Sequence, residues 1–260
     1  MENLFIAKVG GNLIDDEAGL AAFLDAFAQI NGRKILIHGG GKMATELAHT
    51  LGLETQMVNG RRITSKEMLK VVTMVYAGLI NKTIVSGLQA RSCNALGVTG
   101  ADANLMLAHK RAHAEIDYGW VGDIDHVDSA ALVHFLNSGA TPVVAPLTHD
   151  GRGNMLNTNA DTIAATLARA LHAYYHTSLV FCFDKKGVLA SNHEDEVIPR
   201  LTFAEYRRLR EAGVISKGML PKLENAFAAL QAGVTSIIIC HASQLLPALQ
   251  EDGCGTRLSL

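Results

Sequence analysis

The 260-residue sequence has few cysteines and almost no net charge. Its four cysteines lie far apart and form no C-x-x-C pair, which argues against a zinc knuckle or a disulfide framework and fits a reducing compartment. The formal net charge is −2 and the basic residues form no long run, so the chain has no general attraction for nucleic acid or for anionic membranes. These absences favour small-molecule chemistry.

Targeting signals, membrane-spanning stretches and linkers are also missing. The apolar run at residues 4–7 is too short and too early for a signal peptide, and no stretch approaches the length that spans a bilayer. There is no repeat, low-complexity tract or proline-rich linker. We therefore expect a cytoplasmic protein without a membrane partner, built from at most two lobes with a divide near residues 172–177.

What the sequence does contain is an alternation of short apolar runs and longer helical patterns. The short runs predict buried strands at residues 4–9, 34–38, 141–145, 179–183 and 236–240. The helical periodicity lies at residues 17–30, 43–51, 65–90, 129–137, 161–172 and 220–232. This alternation predicts an α/β protein with a doubly wound, mainly parallel open sheet flanked by helices. Residues 96–125 interrupt the alternation and predict a β-hairpin excursion that forms a lid or an edge.

Two glycine-rich segments follow the first two predicted strands. In Lys8-Val9-Gly10-Gly11-Asn12, a lysine stands near the carboxyl end of a strand, where open α/β sheets bind ligands. Such glycines let backbone N–H groups approach phosphate, and the lysine can neutralise charge that develops in phosphoryl transfer. The alternative is a tight turn beside a solvated lysine. His38-Gly39-Gly40-Gly41 precedes a helix, whose positive N-terminus favours an anion.

The second glycine segment is also compatible with two other functions. Residues 39–44 satisfy G-x-G-x-x-A, the fingerprint of dinucleotide-binding proteins. That fingerprint normally follows the first strand of its βαβ unit, and an acidic residue normally ends the next strand. Here the motif follows the second predicted strand and Asn59-Gly60 comes after it, so a dinucleotide site is weakly supported. Residues 38–41 also resemble the oxyanion loop of lipases. That function needs a G-x-S-x-G serine, which the chain lacks, so a hydrolase is excluded.

Three further segments carry polar residues typical of a ligand site. Amides and a carboxylate crowd the start of a helix at residues 154–161, where one such residue would suffice as a cap. Lys222 stands in the first turn of another helix, against the helix dipole, and this favours an anionic ligand. Arg62 follows a turn and can pair a carboxylate with two hydrogen bonds, although a surface position is the simpler explanation.

Taken in order, these motifs resemble the acetylglutamate kinases of the amino acid kinase family over essentially the whole chain. The motifs are Lys-x-Gly-Gly from Lys8, His-Gly-Gly-Gly from His38, Asn-Gly-x-Arg from Asn59, Asn-x-Asn-Ala-Asp from Asn157 and Gly-Met-x-x-Lys from Gly218. The resemblance implies the amino acid kinase fold and ATP-dependent phosphorylation of the side-chain carboxylate of N-acetyl-L-glutamate, a step of arginine biosynthesis.

The resemblance also implies roles for individual residues. Lys8 and Lys222 would stabilise the transferring phosphoryl group, and Asp161 would hold both ammonium groups. The acylated amino acid would be bound by Gly40, Gly41, Arg62, Asn157 and Asn159, with Arg62 on its α-carboxylate. ATP would be bound by Gly10, Gly11, Asp184, Lys185, Gly187, Leu189, Ile215, Ser216 and Lys217. Mg²⁺ would come with the nucleotide, and no protein metal site is expected.

The resemblance further implies one amino acid kinase domain over residues 1–260, with an acyl-amino-acid lobe at 1–172 and a nucleotide lobe at 173–260. We expect a homodimer that is insensitive to arginine. N-succinyl-L-glutamate, or another N-acylated amino diacid, is an alternative substrate. A non-catalytic ligand-binding homologue is a second alternative, because Lys185 and Lys186 depart from the family pattern on the nucleotide side.

Overall fold

The computed structural model describes residues 1–58, 60–190, 196–215, 219–250 and 253–260. In chain order its strands are β1 (Asn3–Val9), β2 (Arg33–His38), β3 (Met57–Val58), β4 (Arg61–Arg62), β5 (Ala95–Val98), β6 (Met106–Lys110), β7 (Gly122–Val127), β8 (Thr141–Val144), β9 (Leu147–His149), β10 (Met155–Asn157), β11 (His176–Phe183), β12 (Arg200–Thr202), β13 (Ser236–His241) and β14 (Thr256–Ser259). Its helices are α1 (Gly11–Ile14), α2 (Glu17–Ala28), α3 (Gly41–Thr50), α4 (Lys66–Val72), α5 (Asn81–Gln89), α6 (Ser129–Asn137), α7 (Ala160–Leu171), α8 (Phe203–Glu211), α9 (Leu220–Gln231) and α10 (Leu245–Ala248).

The described residues form an eight-stranded sheet in the order β12-β14-β13-β11-β1-β2-β8-β5. The strands from β13 to β5 pair in parallel, and the sheet turns antiparallel where β14 pairs with β13. All five strands predicted from the apolar runs lie in this parallel part. The predicted mainly parallel open sheet flanked by helices is therefore confirmed.

Helices cover both faces of this sheet, because side chains alternate along each strand. Leu4 and Ile6 of β1 belong to one apolar core with α6, α7 and α9. Ala7 and Val9 belong to the opposite core with α2, α3, α4 and α5. Lys8 follows the even-numbered positions, so its side chain leaves the sheet on the face that α7 and α9 cover.

The predicted helix at 65–90 is confirmed as a continuous helical segment with an irregular middle. Between α4 and α5 the residues Thr73–Ile80 are π-helical, a form often found at functional sites. By length and composition alone, Lys66–Gln89 is long and apolar enough to cross a membrane, so the expectation that no stretch approaches that length was wrong. In this fold, 44% of its most apolar stretch is buried inside the protein.

The predicted excursion at residues 96–125 is only partly a hairpin. Its first residues belong to β5, which pairs in parallel with β8 at the edge of the main sheet. The hairpin proper is β6 with β7, and it joins β9 and β10 in a four-stranded sheet within the described residues. This smaller sheet delivers the end of β10 to the start of α7, where the polar cluster at 157–161 lies.

Candidate active site

The two glycine segments lie against each other at the carboxyl ends of β1 and β2. The Gly10 N–H donates to the Cys182 carbonyl oxygen at 3.0 Å, and the Gly39 N–H donates to the Val9 carbonyl oxygen at 3.1 Å. A Cβ placed on Gly11 would lie 3.6 Å from the backbone nitrogens of both Gly40 and Gly41. The sheet register therefore brings the two loops together at the edge where α/β sheets bind ligands.

Gly40 is held in a conformation that other residues rarely adopt. Its φ is 151°, and a Cβ at this position would collide with Ile80 Cδ1 and approach the Tyr76 ring. Both contacts come from the π-helical segment, which packs directly beneath the loop. This close approach requires glycine at position 40.

A buried histidine at the end of β2 fixes the second glycine loop from behind. Asn81 Nδ2 donates to the Val143 carbonyl oxygen at 2.9 Å and lies 3.2 Å from His38 Nε2. Because Nε2 accepts from this amide, the His38 proton is on Nδ1, which donates to the Gly39 carbonyl oxygen at 2.8 Å. Complete burial lowers the pKa of His38 to about 4, so the ring is neutral at neutral pH.

Asp161, in the first turn of α7, lies between two lysines. Lys8 Nζ is 2.7 Å from Asp161 Oδ1, and Lys222 Nζ is 3.8 Å from Asp161 Oδ2. Burial acts to raise the pKa of Asp161, but Lys8 and then Lys222 more than offset it, so the net effect lowers that pKa. The carboxylate therefore stays ionised and holds two ammonium groups at one point.

The two lysines differ in their surroundings. The Lys8 side chain is only 7% exposed, whereas that of Lys222 is 28% exposed. Burial lowers the pKa of Lys222, and the Asp161 charge acts in the opposite direction. Its ammonium lies 4.2 Å from the centre of the Phe183 ring, which supplies a cation–π contact. Lys222 thus contacts the Asp161 carboxylate and the Phe183 ring at the start of a helix.

Arg62 lines a cavity of about 150 Å³. Its Nη2 donates to the Gly41 carbonyl oxygen at 2.7 Å and to Thr45 Oγ1 at 2.8 Å. Its Nε and Nη1 are buried and have no partner among the described residues. A buried guanidinium with free N–H groups in a cavity is prepared to bind a planar anion such as a carboxylate.

The predicted substrate-binding residues line this same cavity. They are Gly40, Gly41, Arg62, Asn157 and Asn159. Asn157 is buried, and its Nδ2 donates to Thr64 Oγ1 at 3.0 Å. Asn159 also has a structural task, because its Oδ1 caps α7 by accepting from the Thr162 N–H at 3.0 Å. A smaller adjoining cavity is lined by Gly60, Arg61, Asn159, Asp161, Pro221, Lys222 and Asn225.

The predicted nucleotide-side residues are less closely assembled. Asp184 is exposed at the end of β11, and Asn12 Nδ2 donates to its Oδ2 at 3.4 Å. Lys185 follows Asp184 directly in the chain, and Leu189 forms a bridge with Val197. Ser216 and Lys217 lie outside the described residues.

Gly187 and Ile215 have structural reasons for their positions. A Cβ on Gly187 would lie 2.6 Å from Thr256 Oγ1, so β14 approaches too closely for a larger residue. Ile215 is buried in the apolar core with α8 and α9. Neither residue is shown by its packing to contact a ligand.

Sequence reasoning missed several residues that shape the site. His38 was considered only as part of a glycine motif, and Asn81, Thr64 and Tyr76 gave no signal because their roles depend on tertiary contacts. Thr45 has a local signal, since it lies one helical turn after Gly41 and donates to its carbonyl oxygen at 2.9 Å. Arg61 received no role because Arg62 alone matched the motif.

Comparison with known proteins supplies the class. The model of the amino acid kinase family matches residues 3–241, and the chain therefore belongs to the amino acid kinase family. Curated relatives similar over nearly the full length are acetylglutamate kinases. That of Bacteroides thetaiotaomicron is 55% identical, over 99% of this chain and 98% of its own. That of Methanopyrus kandleri is 39% identical, over 96% and 98%.

Solved structures agree on the fold. An N-acetylglutamate synthase from Neisseria gonorrhoeae, complexed with coenzyme A and N-acetyl-glutamate, superposes with a TM-score of 0.85 at 24% identity. The match covers 99% of this chain, which spans 59% of that longer chain. A carbamate kinase from Giardia lamblia bound to AMP-PNP superposes with a TM-score of 0.70 at 15% identity. At these identities the likeness shows the shared amino acid kinase fold alone.

Proposed function

We propose that this protein is a kinase that transfers the γ-phosphoryl group of ATP to the side-chain carboxylate of N-acetyl-L-glutamate, a step of arginine biosynthesis. The observation that carries the proposal is the pair of lysines held by Asp161, since Asp161 and Lys222 line the smaller cavity that adjoins the cavity of Arg62. The names of the relatives supply the substrate. An acyl phosphate and ADP would be the products.

The transfer needs positioning and positive charge more than it needs a reactive side chain. A carboxylate oxygen of the substrate attacks the γ-phosphorus while the bond to the bridging β,γ-oxygen breaks and ADP leaves. Charge is carried on the equatorial oxygens during this step. Lys8 and Lys222 would stabilise that charge from two directions, and Asp161 would keep their ammonium groups in place.

The larger cavity suits the amino acid part of the substrate. Arg62 Nε and Nη1 would donate to the α-carboxylate, satisfying N–H groups that have no partner among the described residues. The Asn157 and Asn159 side chains would contact the substrate opposite the loop of Gly40 and Gly41. An acylated amine cannot attack the activated carboxyl group, so the acyl phosphate would not cyclise.

ATP would lie on the side of Asp184, with its phosphates over the loop of Gly10 and Gly11. Lys185, Gly187, Leu189 and Ile215 remain the proposed surroundings of the nucleotide, together with Ser216 and Lys217. Mg²⁺ would enter bound to the phosphates, as is usual for this ion. In the part of the chain that the structure describes, no group of three or more His, Cys, Asp or Glu side chains is placed to hold a metal. In this division, residues 1–172 would bind the acyl amino acid and residues 173–260 the nucleotide.

We also propose that the protein works in the cytoplasm as a homodimer. Met74 and Leu79, on the long helical segment, are 54% and 59% exposed and would be covered by a second copy. Light scattering of the purified protein tests this directly. A dimer mass supports the proposal, and a monomer across the working concentration range contradicts it.

The test of the activity is ATP-dependent formation of an acyl phosphate, trapped with hydroxylamine as the hydroxamate. The assay contains Mg²⁺-ATP and N-acetylglutamate, with free glutamate as the matched control. We expect hydroxamate with the acylated substrate and little with free glutamate. Tight binding of the amino acid without ATP binding or turnover would instead support a non-catalytic homologue.

A further inference from the structure

The substrate cavity contains more positive charge than one α-carboxylate neutralises. Arg61 and Arg62 both line it, and no acidic residue does so within the described ranges. Arg61 Nη1 is buried and, like two nitrogens of Arg62, has no partner among the described residues. A buried guanidinium nitrogen without a hydrogen-bond partner is costly, and a bound anion removes that cost.

Among the described residues, the charges that act on Arg61 include a second arginine as well as an aspartate. Arg111 Nη1 donates to Asp123 Oδ1 at 2.7 Å, and Arg61 interacts with the same two side chains. Arg111 Nε is also buried without a partner among the described residues. In the part of the chain that the structure describes, two guanidinium groups therefore share the Asp123 carboxylate. Burial and then the Arg111 charge lower the pKa of Arg61, while Asp123 acts in the opposite direction.

Arg61 and Arg62 are adjacent on β4, which pairs with β3 so that Val58 faces Arg61 and Met57 faces Arg62. Neighbouring residues of a strand point to opposite faces, which separates the two guanidinium groups. Both residues nevertheless line the cavity, so they present two separate anion-binding points to it. One carboxylate held by Arg62 leaves the other point unused.

If the proposed reaction holds, the substrate's side-chain carboxylate lies at Lys8 and Lys222, and its α-carboxylate lies at Arg62. We infer that Arg61 forms a second anion subsite that binds a carboxylate at the far end of the acyl group. The preferred substrate is then an N-acylglutamate whose acyl group is a dicarboxylic acid, of which succinyl is the simplest case to test. N-acetylglutamate would be accepted without using this subsite.

Arg61 also lines the smaller cavity with Asp161 and Lys222, so contact with the transferring phosphoryl group is the rival role. The two roles differ in their kinetic signature. If Arg61 binds the acyl carboxylate, its replacement affects only N-succinylglutamate and chiefly raises KM. A contact with the phosphoryl group acts on kcat whatever the acyl group is.

The experiment compares N-succinylglutamate with N-acetylglutamate in the hydroxamate assay, using the wild type, Arg61→Met and the control Arg152→Met. Arg152 is an exposed arginine outside the cavity, so its replacement should leave both activities unchanged. We expect the wild type to prefer the succinyl substrate in kcat/KM by about tenfold or more, since one charge-assisted contact is involved. Arg61→Met should lower this preference by a similar factor, mainly through KM.

Three results would overturn the inference. They are a wild-type preference for N-acetylglutamate, a preference that Arg61→Met leaves unchanged, and an equal fall in kcat with both substrates. Absence of turnover with both substrates would contradict the proposed kinase activity instead. Calorimetry then decides the subsite by itself: tighter binding of N-succinylglutamate that is lost in Arg61→Met supports it, and equal binding of the two acyl amino acids contradicts it.

Discussion

The two sides of Asp161 are built differently. On one side, Lys8 is a buried residue of a central strand, 2.7 Å from the carboxylate, beside glycine loops whose hydrogen bonds go back into the sheet. On the other side, Lys222 stands in the first turn of α9, 3.8 Å from the same carboxylate and more exposed. Among the described residues, the Lys8 ion pair is thus short and buried beside hydrogen-bonded loops, whereas the Lys222 ion pair is longer and more exposed.

This difference suggests how the site handles a moving group. In an in-line transfer the phosphoryl group leaves one oxygen and reaches another, so a fixed cation and an adjustable cation can both follow its charge. We assign the fixed part to Lys8 and the adjustable part to Lys222. Changes to Lys8 should therefore reduce kcat more than the same changes to Lys222.

The largest effect is expected for Lys8→Ala. It removes a cation from the transfer and leaves Asp161 with a more distant partner, so kcat should fall by about a thousandfold, or about 4 kcal/mol. Hydroxamate formation under saturating substrates measures this. Lys42→Ala is the matched control, because Lys42 is 60% exposed on α3 and lies 3.7 Å from Asp15. Equal losses in the two variants would remove Lys8 from the mechanism.

The buried His38 predicts how the free energy of unfolding of the protein depends on pH. Its pKa is about 4 in the folded protein and about 6.5 in the unfolded chain. The neutral ring therefore stabilises the fold fully above pH 6.5. As the pH falls from 6.5 to 4, about 3 kcal/mol of the free energy of unfolding should be lost.

Urea unfolding at several pH values checks this prediction for His38. The wild type should lose stability over that window, and His38→Gln should lose less over the same window. His126→Gln, which changes an exposed histidine, serves as the control and should follow the wild type. A pH dependence that is identical in wild type and His38→Gln would show that this histidine does not carry the effect.

Gly40→Ala tests the close packing of the second glycine loop on the π-helical segment. The added methyl group meets Ile80 and requires an unfavourable φ, so we expect a loss of about 2 kcal/mol in the free energy of unfolding. Substrate binding should weaken as well. Gly78→Ala, in the same segment, is the control, since a Cβ there meets nothing within 4 Å. If both variants unfold at the wild-type urea concentration, the loop is less constrained than we describe.

The smallest effect is expected for Lys222→Arg. The charge is kept and the site is partly open, so kcat should fall by about tenfold. The kcat of Lys8→Arg should fall further, because the buried strand position has little room for a larger head group. The ratio of the two losses in kcat measures how differently the site tolerates a change at Lys8 and at Lys222. Equal losses would contradict the division into a fixed and an adjustable cation.

Much of the fold could be predicted from local patterns. The five apolar runs became adjacent parallel strands, because short β-α units place successive strands in one sheet. The antiparallel return at β14 could not be predicted, since it depends on pairing between residues distant in the chain. The excursion was misjudged for a similar reason, because β5 is defined by its partner β8.

The residues of the candidate site were predicted mainly from the motifs shared with a known family, and less from strand, helix and cap patterns. Strand ends and helix starts indicated Lys8, Lys222 and Asp161 separately, but their meeting at one point depends on the packing of α7 and α9 on the sheet. The neutral state of His38 and the unpaired nitrogens of Arg61 depend on burial. Burial of a single side chain is set by tertiary contacts, which the sequence does not display.

The most direct test of the central claim is a double-mutant cycle on Lys8 and Lys222. The claim is that both lysines act on one transferred phosphoryl group. We would measure kcat for the wild type, Lys8→Ala, Lys222→Ala and the double variant with N-acetylglutamate and Mg²⁺-ATP. If the two residues are coupled, the double variant loses less kcat than the product of the two single-variant losses, and we predict that result. Losses within about threefold for either single variant, where each cation should supply several kcal/mol, would contradict the account. So would losses that multiply independently.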